Sequence, residues 1–241
     1  FLKFLLSTFI KNSLNKSFDE IIFQNESDKE IFLNFSNYSG KTSIIQGSGI
    51  ESDNYVKKEK YQTERLKVIL VSRLLIDKGI NEYIELTKNI VKPNIEFYLA
   101  GEIDEGNPNS ITANVLKNIN NENNLKYIGP INVEKELHNY DISIIMSKYE
   151  GFSRILLESV FVGLFCISNN IAGTEWLKEF NNGLLVENNN LNTITEVINN
   201  FNNYSFSKDH AENNRDIIQN KYSTEIISNQ YNEIYNKLAN S

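Results

Sequence analysis

Cysteine and histidine are scarce in this chain. The one cysteine, Cys166, lies in the apolar run Gly163-Leu164-Phe165-Cys166-Ile167. No intrachain disulfide and no cysteine-based zinc site can therefore form. The two histidines, His138 and His210, are far apart in sequence, which argues against a histidine-rich metal site. Both read as structural residues on helices. Positive charge is also short: 24 Lys and Arg stand against 31 Asp and Glu, a net charge of −7. Phosphate backbones and acidic membranes attract cationic surfaces, so a nucleic-acid partner is not expected. A local basic pocket for one diphosphate stays open. No run reaches the roughly 20 apolar residues that span a bilayer. The opening Phe1-Leu2-Lys3-Phe4-Leu5-Leu6 has the apolar character of a signal peptide, but no small-residue cleavage site follows. It reads as a chain starting inside a helix, with the cytoplasm as the default compartment.

What the chain does have is 40% hydrophobic residues over a length of 241. That suffices for one large domain, or one domain plus part of another. Residues 1–17 read as the end of an amphipathic helix. A short strand (19–24), a helix running to Phe35 and a second short strand (42–46) follow, then Gly47-Ser48-Gly49 and a polar stretch to Arg65. From Leu66 onward apolar runs alternate with helical spacing. Strands are expected at 66–71, 95–100, 125–128, 142–146, 165–168 and 184–186. Helices are expected at 81–91, 111–119, 133–139, 153–162, 191–201, 207–220 and 223–239. Such alternation predicts an α/β fold, a Rossmann-like doubly wound parallel sheet covered on both faces. Ligands then bind where strands end and helices begin. The abundant asparagine reads as compositional bias.

Three such loops carry chemistry. In Ser72-Arg73-Leu74-Leu75-Ile76-Asp77-Lys78-Gly79, Arg73 offers a planar fork and Lys78 a compact charge for phosphate oxygens. They read equally well as a solvated pair of cations. In Leu99-Ala100-Gly101-Glu102, Gly101 either lets the backbone approach a ligand or makes an ordinary strand-to-helix turn. The third loop, Glu150-Gly151-Phe152-Ser153-Arg154 continuing to Glu158, is the strongest. Ser153 is a fitting N-cap, and Leu156, Leu157, Val160 and Phe161 give the helix its buried face. A diphosphate at that helix start would meet free amides and a favourable dipole. Glu158 could hold a ribose diol and Glu150 the hydroxyls of a sugar. Alternatively Arg154 and Glu158 form an ordinary pair four residues apart, worth only about 0.3–0.5 kcal/mol.

Together Ser72–Gly79, Leu99-Ala100-Gly101 and Glu150-Gly151-Phe152-Ser153 with Glu158 resemble the retaining GT-B glycosyltransferases of the group 1, or family 4, type. Asp104-Glu105-Gly106-Asn107-Pro108, Phe23-Gln24-Asn25 and Gly47-Ser48-Gly49 are similar to stretches of its bacterial surface-polysaccharide members that use UDP-sugars. The resemblance implies Arg73, Lys78 and Glu150 as catalytic residues, the two cations stabilising the departing diphosphate. It implies donor contacts from Gly101, Ile128, Gly151, Phe152, Ser153, Arg154 and Glu158, with Tyr127-Ile128-Gly129 bordering the base. It further implies a nucleotide-sugar donor, UDP-linked, with no cofactor and no metal, and a saccharide or lipid-linked acceptor, with peripheral membrane contact left open. By the same likeness residues 1–47 would be a remnant of an acceptor-binding lobe, 48–222 the donor lobe and 223–241 a helix crossing back. The first lobe would then be largely missing, and this chain alone inactive.

Rival readings are a UDP-sugar 2-epimerase of the same architecture and a non-catalytic nucleotide-sugar-binding module. The epimerase would need several acid–base side chains around the sugar, and histidine is scarce here. A receiver-like domain also alternates strands and helices, but its paired aspartates after a first strand are not evident.

Overall fold

The computed structural model describes residues 18–36, 38–61, 64–122, 124–201 and 206–240. The helix expected over 1–17 lies outside them. The described residues begin with β1 (Glu20–Phe23), α1 (Glu26–Ser36) and β2 (Lys41–Ile44), the two strands pairing in parallel. The main sheet follows as β3 (Leu66–Val71), β4 (Ile95–Ala100), β5 (Leu125–Tyr127), β6 (Ile142–Ile145), β7 (Phe165–Asn169) and β8 (Gly183–Val186). The helices among and after them are α2 (Ile80–Asn89), α3 (Ala113–Glu122), α4 (Val133–Glu136), α5 (Arg154–Val162), α6 (Leu191–Asn199), α7 (Lys208–Tyr222) and α8 (Thr224–Ala239).

The six strands lie in the order β5-β4-β3-β6-β7-β8, all parallel. Both faces are buried, as near-continuous apolar runs require. On β3, Leu66, Val68 and Leu70 enter one core with Tyr83 and Leu86 of α2, Leu116 of α3 and Val197 of α6. Ile69 points to the opposite core, formed by Leu156, Leu157, Val160 and Phe161 of α5 with Ile218 and Tyr222 of α7. The chain builds outward from β3 to β5, then returns to lay β6 on the other side of β3. Strand order therefore reverses between β3 and β6, and the carboxyl ends of those strands frame the crevice where such sheets take ligands.

The segment expected as one helix over 133–139 is a single α turn followed by a 3-10 turn at Leu137–Asn139. The helix expected from Ile111 begins two residues later at Ala113, because the Ser110–Ile111 backbone is engaged elsewhere: Ile111 N–H donates to Leu74 O at 2.8 Å. His210 belongs to a capping box: Ser207 caps the α7 start while the His210 ring accepts from the Ser207 amide at 3.2 Å. The last helix, α8, packs Ile227 and Ile234 on Ile45, beside Ile22 of β1. The two crossings between the small and large sheets are tied together, with Ile50 N–H donating to Tyr222 O at 3.1 Å and Thr224 N–H to Ile50 O at 3.1 Å. Among the described residues no helix is long and apolar enough to cross a membrane.

Candidate functional site

A cavity of about 620 Å³ opens at the reversal point. Its floor is the carboxyl ends of β3 (Leu70, Val71) and β6 (Ile144, Ile145), and its walls carry Arg73, Lys78, Ser147, Glu150, Ser153 and Glu158. That volume suits a nucleotide-sized ligand. The loops after β3 and β6 and the start of α5 thus meet at one place, although up to about eighty residues separate them in sequence.

Their junction is held by backbone contacts. Lys148 N–H donates to Asp77 O at 2.8 Å, tying the β6 loop to the β3 loop. Gly79 has φ +76, and a Cβ there would lie 2.4 Å from Met146 O, so only glycine fits. Asn169 Nδ2 donates to Ser147 O at 3.0 Å and Asn189 Nδ2 to Met146 O at 2.8 Å. Gly173 O accepts from Ser153 N–H at 3.0 Å. From the small sheet, Asn25 Nδ2 reaches Gly151 O at 2.8 Å.

Charge is distributed unevenly on this frame. Lys78 Nζ lies 2.8 Å from Glu150 Oε1, both side chains mostly buried, and the Ser147 hydroxyl donates to the same oxygen at 2.6 Å. Arg73, 68% exposed, reaches Asp104 Oδ2 at 3.3 Å. Ser153 takes the N-cap position of α5 without capping it by its side chain, and its buried Oγ has no hydrogen-bond partner among the described residues. The first amides of a helix have no partner within the helix, so this end presents donors to the cavity. The alternative pairing of Arg154 with Glu158 is also present, at 2.9 Å. The pair holds the Arg154 guanidinium above its ordinary pKa, chiefly through its hydrogen bond to Glu158.

The residues expected from the sequence fall in three places. Arg73, Lys78, Glu150, Phe152, Ser153, Arg154 and Glu158 all line the cavity. Gly151 lies beside it, lining an adjoining cleft of about 550 Å³ with Arg73, Lys78, Glu150 and exposed Tyr149. Gly101 and Ile128 are outside both linings. The close approach at Gly101 is to the chain itself: its φ is +144, and a Cβ would sit 1.8 Å from Ser72 O. Where Tyr127-Ile128-Gly129 was expected to border the base, the cavity is bounded by Asn132, Val133 and Glu134. Phe152 stacks on Trp176 at 5.1 Å and packs on Tyr222, so it also welds the junction of the two sheets.

Sequence reading missed Tyr55, in the polar connector. Its hydroxyl donates to Glu158 Oε1 at 2.7 Å. Burial, then the facing Glu158 carboxylate, pushes its phenol pKa well up. Asn169 and Asn189 were missed for a different reason. In an asparagine-rich chain the two that brace a loop do not stand out. Among the described residues no group of three or more His, Cys, Asp or Glu is gathered as for a metal ion.

Three known proteins are similar to this chain. The poly(ribitol-phosphate) alpha-N-acetylglucosaminyltransferase of Staphylococcus aureus (strain COL) is 24% identical over 244 residues, covering 92% of this chain and 49% of that protein. The S. aureus capsular polysaccharide biosynthesis glycosyltransferase CapM is 25% identical over 205 residues, covering 82% and 53%. The chain thus spans about half the length of these curated relatives. Among solved structures, Anabaena Alr3699/HepE in complex with UDP-glucose superposes with a TM-score of 0.75 at 19% identity, covering 94% of this chain and 66% of that one. Residues 51–224 match the family described as "Glycosyl transferases group 1", and the chain belongs to that family.

Proposed function

We propose that the cavity binds a nucleotide-diphosphate sugar, UDP-linked, and that the whole protein transfers the sugar to a saccharide or lipid-linked saccharide in bacterial surface-polysaccharide synthesis. One observation carries this reading: Lys78, Arg73 and the uncapped start of α5, with the partnerless Ser153 hydroxyl, open into one cavity at the reversal point of the sheet. Cations and amide-rich helix ends are what a diphosphate requires. The curated relatives are by name a poly(ribitol-phosphate) alpha-N-acetylglucosaminyltransferase and a capsular polysaccharide biosynthesis glycosyltransferase, and HepE is described in complex with UDP-glucose.

In this reading Lys78, Arg73 and the α5 amides stabilise the negative charge that grows on the departing diphosphate. Such preorganised stabilisation is commonly the largest catalytic contribution. Glu150, oriented by Lys78 and Ser147, faces the sugar, and Glu158 the ribose. The acceptor enters from the adjoining cleft, which shares Arg73, Lys78 and Glu150 with the donor cavity. Fixed cations take the place of a divalent metal, and the anomeric configuration is retained, as the family likeness implies.

Calorimetry with UDP, GDP and ADP tests the donor assignment. UDP is expected to bind best, with affinity unchanged by EDTA. At 100 times its dissociation constant it should stabilise the fold by about 2.7 kcal/mol. Binding that disappears in EDTA and returns with Mg²⁺ would overturn the metal-free reading. Arg73→Ala is expected to weaken UDP about tenfold, because the side chain is exposed and shares its charge with Asp104. Unchanged affinity would remove Arg73 from the site.

A further inference from the structure

Glu158 is 7% exposed on the cavity wall, and its two carboxylate oxygens are not equivalent. Oε1 accepts from the Tyr55 hydroxyl at 2.7 Å and from Arg154 Nε at 2.9 Å. Oε2 has no partner among the described residues. The two donors differ in kind. The Arg154 side chain is 58% exposed, and a long exposed side chain samples many rotamers. Tyr55 is 6% exposed, and its ring packs edge-on against Phe161 of α5, centroids 5.8 Å apart at 71°. The next residue is pinned too, Val56 N–H donating to Glu134 O at 2.8 Å. A phenol whose ionisation is pushed upward by burial stays a donor at any physiological pH. A carboxylate on a helix turns about its side-chain torsions unless something fixes it. Here the fixing group comes from the connector that leads into the main sheet.

We propose that Tyr55 is a positioning residue: its hydroxyl holds Oε1 of Glu158 so that Oε2 is left to accept from a ribose hydroxyl, and the site selects ribonucleotides over 2′-deoxyribonucleotides. This rests on the reading that the cavity holds a nucleoside diphosphate. Tyr55, Asn132, Val133 and Glu134 together bound the same cavity as Glu158, so the connector and the α4 start form the wall on the nucleoside side. A site that hydrogen-bonds a hydroxyl rejects the analogue lacking it, because its own buried polar group is then left unpaired. The discrimination depends on that group being held in place.

The test is calorimetry with UDP and 2′-deoxy-UDP on the wild-type chain, Tyr55→Phe and Arg154→Met. Phenylalanine keeps the ring against Phe161 and removes only the hydroxyl. The wild type is expected to prefer UDP by at least about tenfold. Tyr55→Phe should lower that ratio roughly fivefold, while Arg154→Met keeps most of it. General loosening of the site would weaken both ligands equally and leave the ratio alone. A wild-type ratio in Tyr55→Phe overturns the assignment, as does a ratio lost in Arg154→Met and kept in Tyr55→Phe. If Tyr55→Phe shows no cooperative melt, Arg154→Met decides: a retained ratio supports Tyr55 as the fixing donor, and a lost one removes it. A wild type that binds no UDP instead overturns the donor reading beneath.

Discussion

Lys78→Ala is expected to weaken UDP binding by about 100-fold or more and to abolish transfer by the whole enzyme. Lys78 and Glu150 form a mostly buried pair at 2.8 Å, so the pair as it stands presents little net charge to a ligand. Removing the ammonium has two effects of one sign. The diphosphate loses a nearby cation, and Glu150 keeps its negative charge with, among the described residues, the Ser147 hydroxyl as its remaining partner. At an effective dielectric near 20, a pair of unit charges about 5 Å apart interacts by roughly 3 kcal/mol. That alone corresponds to about a hundredfold in affinity. The second effect adds repulsion between Glu150 and the phosphates. The double variant Lys78→Ala/Glu150→Gln should therefore bind UDP better than Lys78→Ala alone, although still below wild type. Calorimetry on the wild type and the two variants measures both steps. A single-variant affinity within threefold of wild type, or no recovery in the double variant, would place the diphosphate elsewhere.

Gly101→Ala is expected to cost about 4 kcal/mol of stability and to lower Tm by roughly 10 °C for a chain of this size. The glycine has φ +144, a conformation that side chains rarely adopt, and the added methyl would lie 1.8 Å from the Ser72 carbonyl oxygen. A clash with a flexible side chain is relieved by a rotamer change, whereas this one requires the backbone to move. Three strand exits are pinned here: Ser72 N–H donates to Ala100 O at 3.1 Å, Gly101 N–H to Gly129 O at 3.0 Å, and the Tyr127 hydroxyl to Gly101 O at 3.0 Å. Movement at Ser72 carries Arg73 with it, so UDP affinity should fall alongside stability. Urea denaturation and calorimetry on one preparation check this. A loss of less than 1 kcal/mol would mean the loops part more easily than their contacts imply.

Gly101 also shows where sequence reading reaches and where it stops. A glycine after a buried strand announces close approach of something, but not whether a ligand or another turn of chain makes it. The sheet was legible because β3, β4, β6 and β7 are apolar runs bounded by polar loops, a pattern set by burial on both faces. The meeting of Lys78 with Glu150 was legible only as a shared edge, since pairing across 72 residues depends on strand order. Tyr55 was not legible. It sits among charged, polar neighbours with no periodicity, and its partner is 103 residues away. The single α turn at Val133–Glu136 misled as a longer helix because Leu137, buried at the sheet face, continues the apolar spacing through a tighter turn.

The chain has one tryptophan, and the fold sets it at an informative point. Trp176 is buried, its indole N–H donates to Gly173 O at 3.0 Å, and its ring lies flat against Phe152 on the wall of the cavity. Gly173 in turn lies close enough to the Glu150 backbone that an added Cβ would sit 2.3 Å from the Glu150 carbonyl oxygen. Red-edge excitation therefore collects emission from a single fluorophore packed against a residue of the cavity wall. The protein carries its own optical reporter beside the cavity, and the proposed donor binding is expected to be followed through it in a stopped-flow instrument without attaching a dye.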